Sequence, residues 1–159
     1  MPVGNDYEIS SEGAVRHWEV PYARLTDTTP AVGDPAELTS LLAGTQVNGT
    51  VLAINAVVSR AEVDFTASMI YKHYVRNVRT YSGAAENTWG VIDVGDIVYY
   101  DNSATMPAGV YLSTSPLDNL GVANSLFGYV AFSNQVTLPT TTATAATEEI
   151  PVMQRGAGA

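Results

Sequence analysis

The chain contains no cysteine, which rules out both a disulfide framework and thiolate chemistry. It has only two histidines, His17 and His73, too few for a nitrogen- and sulfur-rich metal site. Charge is scarce as well: 14% of residues are charged, against about 25% in an average domain. The balance is acidic, with a net charge of −9, so the chain is repelled by phosphate backbones and nucleic acid is not expected as a partner. No apolar run approaches the ~20 residues of a membrane helix, and the longest, Val51 to Val58, is interrupted by Asn55. The first eight residues, Met1 to Glu8, carry neither a basic nor an apolar signal region, so synthesis in the cytoplasm, with no membrane partner, is expected.

The chain has 159 residues, enough for one domain with a core and arms. A surface poor in charge but rich in Thr, Ser, Asn and Ala predicts a chain that covers itself by assembling. Three zones follow from composition. Residues 1–33 read as an N-terminal arm, with Trp18, Val20 and Tyr22 at the spacing of one short strand. Residues 34–138 form the β-domain. Residues 139–159 read as a C-terminal arm: Thr140 to Thr147 is only Thr and Ala, and Ile150, Pro151, Val152 and Met153 make a small apolar anchor.

Two segments of the domain are ambiguous. Asp34, Pro35 and Glu37 look like an N-cap, a first-turn proline and a capping-box acid, with Leu38, Leu41 and Leu42 on one helical face. A competing strand reading comes from the echo between Val32-Gly33-Asp34 and Val94-Gly95-Asp96. In Met69 to Tyr81, Tyr71, Tyr74, Val75 and Val78 fit helical spacing, but β-branched and aromatic content favours a strand. The rest reads as strands and turns. Asn48-Gly49 signals a hairpin turn. Val51 to Ser59 reads as a buried strand, and in 62–67 the residues Val63, Phe65 and Ala67 alternate with Glu62, Asp64 and Thr66. Gly95 and Asp96 make a turn before Ile97-Val98-Tyr99-Tyr100, whose two apolar faces suit a central strand or one half-covered by a partner. Leu126 to Phe132 is a further strand.

Catalytic constellations are missing. There is no Gly-x-Ser-x-Gly elbow and no phosphate loop, and either histidine suits a surface or interface role better than catalysis. Asp93, Asp96 and Asp101 read as turn chemistry rather than a calcium or glycosidase site. The expectation is a protein that is not an enzyme and needs no cofactor or metal. Lys72, Arg76 and Arg79 form the one local positive patch, either a solvated strand face or a docking surface for an acidic partner. The candidate interface residues are Trp18, Tyr22, Lys72, Arg76, Arg79, Tyr99, Ile150, Val152 and Met153.

The strand Val94-Gly95-Asp96-Ile97-Val98-Tyr99-Tyr100-Asp101, the loop through Leu112-Ser113-Thr114-Ser115-Pro116-Leu117-Asp118 and the strand Leu126-Phe127-Gly128-Tyr129-Val130 resemble a family of small tailed-phage capsid decoration (cement) proteins. The resemblance covers residues 90–132 well and 30–75 loosely, and neither terminal arm. It implies a mostly β protein: a compact β-barrel or β-sandwich with extended N- and C-terminal arms and at most one or two short helices. It implies a place on the outer capsid surface of a virion, with the major capsid protein as partner, where the chain bridges neighbouring subunits and stabilises the expanded shell. A homo-oligomer is expected, with a trimer ahead of a dimer. The rival reading is a carbohydrate- or host-binding β-module of a phage spike or fibre, with its tyrosines and the loops at 101–109 and 114–124 as the binding surface.

Overall fold

The computed structural model describes residues 17–39, 46–78, 80–82, 85–87, 92–101, 103, 106–131 and 149–157. Eleven strands and one 3-10 turn, Tyr22–Arg24, account for the regular structure among them. The first unit is an antiparallel sheet of β1 (His17–Pro21), β2 (Pro35–Glu37), β3 (Asn48–Asn55) and β4 (Arg60–Asp64), in the order β1-β4-β3-β2. The second is a closed barrel of β5 (Ile70–Arg76), β8 (Ile97–Tyr100), β9 (Leu112–Ser113), β10 (Ser125–Val130) and β11 (Glu149–Gln154), in the order β10-β11-β5-β9-β8. Between β5 and β8 lies a small hairpin of β6 (Thr80–Ser82) and β7 (Ala85–Asn87). The mostly β expectation, with a barrel, is what the structure shows.

Each unit has its own apolar core. Val20, Leu25, Ala36, Val51, Ala61, Val63, Phe65 and Ala157 fill the first. Val75, Ile92, Val98, Tyr100, Leu112, Phe127, Val130, Ile150 and Val152 fill the barrel. Val63 and Phe65 face the core and Glu62 faces out, as period two requires, while Asp64 on the other side of the strand is buried as well, among polar partners.

A polar layer joins the units. The Thr50 hydroxyl donates to Gln154 Oε1 at 2.9 Å and lies 3.0 Å from His73 Nε2. Gln154 Nε2 donates to the carbonyls of Asp64 and Thr66 at 2.8 and 2.9 Å. Tyr71 donates to the Asp64 carboxylate, and Ser125 donates to Glu37. Buried polar groups of this kind hold one relative placement of the two units, because any slide leaves them unpaired.

Several sequence expectations are corrected. The helix suggested by Asp34, Pro35 and Glu37 is instead a turn followed by β2: Asp34 Oδ2 accepts from the Ala31 N–H, and Pro35 to Glu37 pair with Thr50 to Asn48. Residues 40–45, with Leu41 and Leu42, lie outside the described residues. Asn48-Gly49 is not a hairpin turn but the start of β3. Gly49 is there for closeness, since a Cβ on it would lie 2.3 Å from the Asp64 carbonyl oxygen. Of the segment 69–81, Ile70–Arg76 is a strand, β5, as favoured, and no helix forms among its described residues. The arm boundaries also move. His17–Pro21 is the outer strand of the first sheet, and Leu25 is in its core, so the fold begins well before residue 34. At the other end, β11 closes the barrel between β10 and β5, and Ala157 returns to bridge Thr66 beside the first core. Residues 1–16 and 132–148 lie outside the described residues.

Candidate functional site

Two surfaces present apolar side chains on well-supported backbone. The first is the loop between β9 and β10. Its base is tied by Ser115: the hydroxyl donates to the Leu117 carbonyl at 2.7 Å, and Asn124 Nδ2 donates to the Ser115 carbonyl at 3.1 Å. Backbone bonds from Asn124 N to the Pro116 carbonyl and from Asp118 N to the Val122 carbonyl make it a narrow hairpin. At the tip, Asp118 Oδ1 accepts from the N–H groups of both Leu120 and Val122 at 2.8 Å. This is the local chemistry that makes aspartate a turn residue. The hairpin holds its own backbone in place and turns its apolar side chains outward: Leu120 is 82% exposed, Val122 61% and Leu117 46%.

The second surface is a row across the outside of the barrel. Ile70 on β5 is registered with Met153 on β11, Met153 with Tyr129 on β10, and Tyr129 with Ile97 on β8. Side chains two apart on a strand share a face, so these four point outward while Val75, Val152, Val130 and Val98 point in. Ile70, Tyr129 and Ile97 are 48%, 46% and 43% exposed. Lys72 continues the outward side of β5, and the Asp93–Asp96 turn continues β8 in the same direction. Scattered exposed apolar residues are ordinary; a registered row of them on neighbouring strands is a patch.

The residues expected at an interface divide between surface and core. Trp18 lies on the outer strand β1, more than a third exposed, with its ring 5.0 Å from that of Phe65. Tyr22 is half-buried against the first core. Lys72 is exposed, whereas Arg76, two steps further along the same side of β5 from Tyr74, is buried. Arg79 lies outside the described residues. The positive patch is thus not one continuous exposed surface. Tyr99 is half-buried and lines an open cleft of about 320 Å³ with Gly95, Asp96, Ile97 and Thr114. Met153 is partly exposed in the row. Ile150 and Val152 are corrected: both are fully buried inside the barrel, because β11 is a barrel strand rather than an anchor on a loose arm. Sequence reading named the loop 114–124 only as a binding surface of the rival module and did not single out Leu120 and Val122. The signal was Asp118 and Gly121 on either side of Asn119 and Leu120, with Val122 just after, a turn signature that presents what lies at its tip.

His73 is also corrected, since it is buried between the units rather than at a surface. Burial pulls its pKa down to about 4, and a backbone bond to Gly33 opposes that only in part. Burial pushes the Asp64 carboxyl up, but bonds from the Thr66 and Tyr71 hydroxyls and the Thr66 N–H, with His17 nearby, hold it below the usual range. The other acids act as turn and loop fasteners. Asp96 Oδ2 accepts from the Asp93 N–H at 2.9 Å. Asp101 accepts from the Ser103 and Ser113 hydroxyls at 2.6 and 2.8 Å. Among the described residues, no three histidine or carboxylate side chains converge as a metal site would need. No family model, curated protein or solved structure matches the chain.

Proposed function

We propose that the chain is a non-enzymatic structural protein of a tailed-phage virion: a decoration, or cement, protein that binds the outer surface of the head. It bridges neighbouring subunits of the major capsid protein and stabilises the expanded shell. The observation that carries this reading is Leu120, 82% exposed at the tip of a hairpin that fixes its own backbone. A preordered apolar tip loses little entropy when it enters a pocket, which is how a small contact gains affinity. The motif resemblance supports the same reading, because β8 and β10 are its two motif strands and the hairpin is the loop between them. Repeated on every lattice position, such contacts stabilise the expanded shell by mass action.

The test is co-sedimentation with expanded and unexpanded heads that lack the protein. Saturable binding to expanded heads alone, with a raised temperature of shell disruption, is the expected result. No binding to either form, or equal binding to both, would sink the reading.

A second reading, a carbohydrate-binding β-module, is favoured by the open cleft that Tyr99 lines together with Gly95, Asp96, Ile97 and Thr114. Specific hits on a glycan array that vanish in Tyr99→Ala, without head binding, would favour it over the first.

A further inference from the structure

The outward row of the barrel has a symmetry that the hairpin lacks. Its order across four strands is Ile70, Met153, Tyr129, Ile97. Extending the register once around the barrel, from Ile97 through Ser115 to Val78, returns to the β5 side about eight residues further on, so the strands tilt steeply. A line across steeply tilted strands climbs the barrel more than it circles it, which keeps the row on one side.

The charges beside the row are of opposite sign at its two ends. Lys72 is exposed two residues beyond Ile70 on β5. The Asp93–Asp96 turn precedes Ile97 on β8, with Asp93 and Val94 exposed. Because β5 and β8 run in opposite directions, both charges lie on the same side of the row. Among the described residues, neither Lys72 nor Asp93 is in an ion pair.

We propose that this face is a self-association surface whose occupant is a second copy of the chain. Place a two-fold axis parallel to the strands, between β11 and β10. Ile70 then lies over Ile97 of the second copy, and Met153 over its Tyr129, a thioether against an aromatic ring. The same operation lays Lys72 over the acidic turn of the other chain, twice per dimer. Self-complementarity of this kind is what an isologous contact requires. Glu149 and Arg155, both exposed in the single chain, lie on either side of the row along the axis. The low charge of the chain is then partly explained, since one barrel face is covered in solution. This inference stands apart from the head-binding reading, which uses the hairpin.

Sedimentation of the full chain over a wide concentration range tests it. The expected species is a dimer, twice the 16.8 kDa chain mass. Tyr129→Glu, an exposed change, is expected to weaken dimerisation at least 100-fold while circular dichroism stays native. Lys72→Glu is expected to weaken it several-fold, and adding Asp93→Lys to restore it. A monomer at all concentrations, a trimer, or a dimer unaffected by Tyr129→Glu overturns the proposal. So does the absence of rescue in the double charge swap. Loss of head binding in Tyr129→Glu from a chain that is monomeric throughout would instead assign the face to the lattice. Failure of head binding alone leaves the dimer standing.

Discussion

Thr50 Oγ1 and His73 Nε2 stand 3.0 Å apart, and through this pair the first sheet meets the barrel. The Thr50 hydroxyl donates to Gln154, so that one oxygen links the buried amide to the imidazole. The ring is buried, edge-on to Phe127 at 5.5 Å, so it sits neutral in a place where a charge is costly.

A pH dependence follows. The folded-state pKa of His73, about 4, lies below the ordinary 6.5, so between these values the unfolded chain binds the proton and the folded one does not. Stability therefore falls as pH drops from 6.5 towards 4, by up to about 3 kcal/mol from this group. Glu37, raised chiefly by burial, has the opposite sign and gains on protonation, so the slope should be read as a difference. Urea unfolding of the wild type and His73→Gln at pH 7 and pH 5 is expected to show the two approaching each other at low pH. A gap independent of pH would contradict the buried neutral ring.

Gln154 is the most heavily used side chain of the layer, accepting from Thr50 and donating to two carbonyls. Gln154→Leu fills similar space but removes all three of these hydrogen bonds from the layer. A loss of about 3 kcal/mol is expected, on the order of two or three unmade buried hydrogen bonds. Denaturant midpoints measure it, and a loss under about 1 kcal/mol would show that water replaces the amide.

Gly128 brings β10 against β11. A Cβ there would lie 1.9 Å from the Met153 carbonyl oxygen, closer than any real contact. Gly128→Ala must therefore separate two barrel strands, at a cost of about 3 kcal/mol or more. Thermal unfolding reads this directly, and an unchanged midpoint would mean the strands are not so paired.

Val152 distinguishes a barrel strand from a surface anchor. Val152→Ala should lower stability by about 1 to 2 kcal/mol through a cavity in the barrel core. An arm residue would change binding and leave the midpoint where it was.

The β character was legible because alternation and β-branched content act locally: Val63 and Phe65, or Val98 and Tyr100, carry their burial in their spacing. The helix reading at 34–37 had equally good local signals. It lost because Pro35 to Glu37 pair with a strand that lies beyond them in the chain, and such pairing leaves no trace in a window of ten residues. The same reason hid the end of the chain. Ile150 to Met153 read as an anchor on an arm because the Thr/Ala run before it carries no strand pattern, and one of its two partners, β5, is far away along the chain. The exposed row was half visible in the two apolar faces of Ile97 to Tyr100. Its continuation through Tyr129, Met153 and Ile70 needed the register. Leu120 went unread since a single leucine in a polar loop has no periodicity, and only the bonds of Asp118 show that the loop is rigid.

The most direct measurement of the central claim is the occupancy of expanded heads by Leu120→Asp against wild type, in one sedimentation series. Leu120 makes no core contribution, so the variant should unfold within about 0.5 kcal/mol of wild type, as exposed changes do. The account predicts that occupancy falls at least tenfold for a chain that is equally folded. Full occupancy by the folded variant would contradict it.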